Sequence, residues 1–166
     1  MTPEPLALPR ELEADPGCAA IRARLATANR RLWPGGQVVV SLLPLGPAVE
    51  DVLGQAYAGG RLVVGLEAAA AALATEARGL AQLAQRAGAA GARVSRLLLL
   101  SEDGAERLYR QAERLATVHA PRVLVVMLTA DAAVLGRATI GRDVAVKAVL
   151  VRHKQAVASL LRALAT

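Results

Sequence analysis

Branched apolar residues come in short runs along this chain, each closed by a small polar cluster and followed by a stretch compatible with a helix. Gln37 to Leu43, Arg61 to Leu66, Val94 to Leu100 and Arg122 to Leu128 read as strands, the last being the most convincing buried one. Between them apolar positions recur at helical spacing. Ile21, Leu25, Ala28 and Leu32 do so in Cys18 to Trp33, Leu73, Leu80 and Leu83 in the alanine-rich Glu67 to Ala90, and Leu108, Ala112 and Leu115 in Gly104 to Val118. Gly46-Pro47 opens another helix, with proline at a tolerated first position, and Gly59-Gly60 closes it.

Two readings compete for Val144 to Val151. Val144, Val146, Val149 and Val151 favour a fifth strand, with Lys147 guarding a sheet edge. The alternative is a long helix capped by Asp143 and running to Ala165. From Gln155 onward Ala156, Val157, Leu160, Leu161 and Leu164 form a helical stripe in either case. The alternation predicts an α/β fold: a three-layer αβα sandwich around a mostly parallel sheet of about five strands, Rossmann-like or flavodoxin-like. The 166 residues suit one domain over residues 18–166. Residues 1–17, rich in proline with Glu4, Glu11, Glu13 and Asp15, read as a flexible acidic leader.

The chain is 54% hydrophobic with a mean hydropathy of +0.37, yet no run approaches the roughly 18 apolar residues of a membrane span. The leader also lacks the basic-then-apolar order of a secretory signal, so a cytoplasmic location is expected and a membrane partner is not. The single Cys18 cannot form an internal disulfide and reads as a packing residue. Net charge is +6, and it belongs to the second part of the chain: residues 1–60 carry five basic and six acidic side chains, residues 61–166 fifteen and eight.

Four polar stops hold the candidate chemistry: Glu67, Ser101-Glu102-Asp103, Thr129-Ala130-Asp131 and Arg152-His153-Lys154. Open α/β sheets bind ligands beyond the carboxyl ends of their parallel strands, where such stops lie. Carboxylates Glu67, Glu102, Asp103 and Asp131 converging there would suit Mg2+. Helix capping competes, since Asp103 followed by Glu106 matches a capping box and Asp131 precedes Ala132-Ala133-Val134 as a plain N-cap. Cations at the start of a helix oppose its dipole, so Arg152, His153 and Lys154 imply an anion there. The competing view is that they extend into water. The connection Thr129 to Asp143, with a short helix at most over Ala132 to Leu135, adds Arg137 and Arg142, each after a glycine. The preferred anion site is therefore Arg137, Arg142, Arg152, His153 and Lys154.

Other functions lack their motifs. No G-x-x-x-x-G-K-[ST] or G-x-G-x-x-G follows a strand. Ser41 and Ser101 stand outside any G-x-S-x-G elbow, and His119 reads as a helix C-terminal cation. The basic balance would suit nucleic-acid phosphates, but there is no Phe, and only Trp33, Tyr57 and Tyr109 could stack on bases. The expected function is a non-catalytic binding or regulatory module, without a cofactor, that takes an anionic small molecule or a partner's acidic surface at the strand carboxyl ends, a homodimer being the assembly considered. A second reading is a Mg2+-dependent phosphoryl- or acyl-transfer enzyme, with Glu102, Asp103 and Asp131 on the metal and His153 or Lys154 steadying developing charge. A third is an assembly protein that self-associates through the alanine-rich helix.

Overall fold

The computed structural model describes residues 6–87 and 93–166. Its apolar runs lie side by side because strands this hydrophobic must be covered on both faces. Strands β1 (Asn29–Arg31), β2 (Val39–Leu43), β3 (Leu62–Val64), β4 (Arg96–Leu100), β5 (Val123–Leu128) and β6 (Ala148–Val151) form one six-stranded sheet in the order β1-β2-β5-β4-β6-β3. Pairing of β2, β5 and β4 is parallel, whereas β1 runs antiparallel to β2, and β6 antiparallel to both β4 and β3. The sheet is thus mixed, and the expectation of a mostly parallel, five-stranded one is corrected.

Among the described residues seven helices flank this sheet. Helices α1 (Arg10–Glu13), α2 (Cys18–Ala26), α3 (Pro47–Ala58), α6 (Ala132–Ile140) and α7 (Lys154–Leu164) supply one buried cluster, together with Leu97, Leu99, Val149 and Val151 of the sheet. Helices α4 (Leu66–Ala87) and α5 (Glu106–Val118) cover the other face over Leu98, Leu100, Ala148 and Leu150. Alternate residues of β4 and β6 therefore enter opposite cores, as the two-residue period of a strand requires. Among the described residues no helix is long and apolar enough to cross a membrane.

Reversal of β6 has a local cause. Gly141, in the left-handed region at φ 83°, ends α6, and the chain doubles back along that helix. The Val144 carbonyl rests on Gly136, where a Cβ would collide with it, and the Val146 amide donates to the Ala132 carbonyl at 2.9 Å. By Ala148 the chain has returned to the edge at which β5 ended, so β6 must start there and run the other way. The expected short helix at Ala132 to Leu135 is in fact nine residues long. Residues 143–165 are a strand and a separate helix, not one rod. Strand β6 lies between β4 and β3, so Lys147 guards no sheet edge.

The helix expected from Cys18 to Trp33 stops at Ala26, because Ala28 turns at φ 51° and Asn29–Arg31 pairs with β2. Helix α4 covers the expected Glu67 to Ala90 as far as Ala87, residues 88–90 being outside those described. Of the presumed loose leader, residues 1–5 also lie outside, and 6–17 form a strap packed on the domain. Leu8 and Leu12 are fully buried, and Cys18 packs beside the same core. Carboxylates of the strap meet arginines of the body: Glu13 pairs with Arg22 and Arg93, and Arg162 with Glu11 and Asp15.

Candidate functional site

The strand directions separate the two sets of charges that the sequence places together. At the carboxyl edge of β4 and β5 lie Glu102, Asp103 and Asp131. Asp131 is the N-cap of α6, its Oδ1 accepting from the Val134 amide at 2.8 Å. Asp103 does not cap its own helix, whose N-cap is Ala105; its Oδ1 accepts instead from the Ala132 amide at 3.0 Å. Burial pushes the Asp103 carboxyl up, but the Ser101 hydroxyl, the Ala132 amide and Lys147 outweigh this and hold it below its ordinary value. The Ser101 hydroxyl is itself buried without a partner at full hydrogen-bond geometry. The loop between is fixed by Tyr109, whose hydroxyl donates to the Ser101 carbonyl and accepts from the Gly104 amide, both at 2.8 Å.

Glu67, in the first turn of α4 after β3, is set apart from these acids by β6 and lines a groove with Arg107, Gln111 and Arg114. Among the described residues no three His, Cys, Asp or Glu side chains gather to hold a metal ion.

The predicted cations divide as well. Arg137 pairs with Asp143, and Arg142 follows the end of α6. Helix α3 packs against both α6, which carries Arg137, and α7, which begins at Lys154. Because β6 is reversed, Arg152, His153 and Lys154 emerge at the opposite sheet edge, beside the amino ends of β4 and β5. The five cations therefore do not surround one point. His153 serves as the N-cap of α7, its Nδ1 accepting from the Gln155 amide at 3.2 Å.

At that second edge Arg152 joins a cluster the sequence reading missed. Glu76 of α4 accepts from Arg96 Nε and Arg122 Nη2, both at 3.0 Å, and lies 3.4 Å from Arg152 Nε. Its side chain is only 13% exposed. Burial pushes the Glu76 carboxyl up, yet its bonds and charge contacts with the three arginines, Arg96 foremost, prevail and hold it below the usual range. One carboxylate against three guanidiniums leaves the cluster positive. Nearby His119, the C-cap of α5, is buried; desolvation and then Arg122 push its imidazole below its ordinary value, against the attraction of Glu76. Its surroundings thus disfavour the charged form that its place at the end of α5 suggests.

A cleft of about 390 Å3 opens beside the cluster, lined by Pro9, Arg10 and Glu11 of the strap, Leu80 of α4, Arg93, Val94 and Ser95 before β4, Arg122 before β5, and Lys154 of α7. Four cations thus face one lining carboxylate, and Glu11 is engaged by Arg162. Arg93 is held by Glu13 and the Leu8 carbonyl, and Arg122 by Glu76. Among the described residues Arg10 and Lys154 have no carboxylate partner. The first residue of α7 adds the positive end of a helix dipole. A signal for this edge did exist: an arginine stands immediately before or at the head of each buried apolar run in Arg96 to Leu100 and Arg122 to Leu128.

Comparison with known proteins finds no family model that matches the chain and no curated protein that matches it.

Proposed function

We propose that the protein is a non-catalytic binding module for an anionic small molecule, taken not where β4 and β5 end but in the basic cleft where they begin. The observation that carries this reading is the lining itself, in which Arg10, Arg93, Arg122 and Lys154 meet the single carboxylate Glu11. A volume near 390 Å3 suits a small ligand rather than a macromolecular surface. Anion binding would also relieve the cost of placing Lys154 at a helix N-terminus.

Thermal unfolding in rising concentrations of phosphate, sulfate and small organic anions tests it, since a ligand of the folded state raises the midpoint, and keeps raising it with the logarithm of its concentration above the dissociation constant. Phosphate and sulfate also stabilise proteins by general exclusion, so the comparison between variants decides. The paired substitution Arg10→Ala with Lys154→Ala removes two exposed side chains and should fold normally while losing the specific increment. Arg137→Ala with Arg142→Ala should retain it. An unchanged response in the first pair, or no specific response in the unaltered protein, would overturn the reading.

A further inference from the structure

The geometry points to an amphiphilic anion as the ligand, a phosphate or carboxylate head carried on an apolar body; this rests on the anion-binding reading of the same cleft. Three elements bring carbon to its walls, with Pro9 from the strap, Leu80 from α4 and Val94 from the approach to β4, and the stems of the arginines add more. Leu80 is the informative residue. Helix α4 has 22 residues, about 33 Å of helix, whereas a five- or six-residue strand spans roughly 17–20 Å. Its apolar stripe is buried at Leu66, Ala69 and Leu73, then continues past the sheet edge. Two turns beyond Leu73 it presents Leu80 to the cleft, and Leu83 on the same stripe is 59% exposed. Bare phosphate would engage the cationic heads and leave these carbon walls facing water. An anion with a short hydrocarbon or ring attached satisfies both.

The test is calorimetric titration of the full chain with inorganic phosphate, butyl phosphate and hexyl phosphate, each kept as monomers. The alkyl esters should bind more tightly than phosphate, with up to about fourfold gained per buried methylene until the cleft is filled. Leu80→Gln, a substitution at a partly exposed position that keeps helix propensity, should flatten the chain-length dependence and leave phosphate binding unchanged. Equal affinity for all three probes would overturn the amphiphile while leaving the anion site standing. A chain-length gain that survives in Leu80→Gln would also overturn it, because the tail would then lie elsewhere. Binding of none of the three would instead remove the anion-binding reading on which it rests.

Discussion

Asp103 and Ala132 are joined by a hydrogen bond of 3.0 Å from the Ala132 amide to Asp103 Oδ1, so an acid that follows β4 caps the helix that follows β5. Asp131 caps the same helix through Val134. Together they satisfy two of the amides that a helix start leaves without intrahelical partners. Replacing either by alanine should cost about 1 kcal/mol, measured by urea unfolding. Millimolar Mg2+ should move neither the unaltered protein nor the variants. Metal-dependent stabilisation that disappears in Asp103→Ala would restore the metal-site interpretation of these acids.

Glu76→Gln keeps the shape of the side chain and removes the negative charge that Arg96, Arg122 and Arg152 share. Stranding three close guanidiniums in a partly buried place should cost about 3 kcal/mol at neutral pH. The sign of its pH dependence follows from the lowered carboxyl. A group whose folded value lies below its unfolded one contributes fully above the ordinary carboxylate range, near pH 4, and loses that contribution as pH falls through the folded value. The unaltered protein should therefore weaken more between pH 6 and pH 3 than Glu76→Gln. Parallel stability curves for the two would show that Glu76 carries no such linkage.

How much of this was legible in the sequence depends on what each feature answers to. The runs ending at Leu100 and Leu128, and the stripe Ala156, Val157, Leu160, Leu161, Leu164, reflect burial on one or both faces and could be read directly. Strand β1 could not, because Asn29, Arg30 and Arg31 are all exposed and become a strand only by pairing with β2. The apolar pattern of β6 marks a strand but carries no direction. Its reversal depends on main chain packing against α6 at Gly136, and the position of Lys154 depends on that reversal. Asp131 as a cap was visible because its partner is three residues away, whereas the partner of Asp103 is 29 residues away in another loop. Glu76 was conspicuous as the only acid beyond Glu67 in the alanine-rich helix, but nothing local named the arginines it meets.

Leu12, on the strap that was expected to be loose, is fully buried in the core of the domain. Leu12→Ala should then cost about 2–4 kcal/mol, the usual range for emptying a buried leucine site. The same change should weaken the response to anions, since the strap contributes Pro9, Arg10 and Glu11 to the cleft. Acid should act alike on the strap: Arg93 hydrogen-bonding to Glu13, and the Gly17 amide and then Arg162 bonding to Asp15, hold both carboxyls below their ordinary values. These contacts persist above the carboxylate range and fail as pH drops through the lowered values. Chemical unfolding of Leu12→Ala with a loss under about 0.5 kcal/mol, within the range of ordinary surface substitutions, would mean that residues 6–17 do not hold to the domain in solution.

Two helical glycines should respond to alanine with opposite signs. Gly79, within α4, has open space where a Cβ would sit, so Gly79→Ala should stabilise by up to about 1 kcal/mol through helix propensity and a less flexible unfolded chain. Gly136, within α6, has the Val144 carbonyl at that place, and behind it the backbone of Val146. That neighbour is main chain, pinned by the bond between Val146 and Ala132, and cannot rotate away as a side chain would. Gly136→Ala should therefore cost about 3 kcal/mol or more, the scale of forced overpacking in a tight interior. The consequence extends beyond stability, because pushing the returning chain off α6 shifts the start of β6 and, through it, Arg152 and Lys154 at the other edge. Denaturant unfolding of the two variants side by side measures the signs, and a Gly136→Ala protein as stable as Gly79→Ala would show that the chain does not return along α6 at this distance.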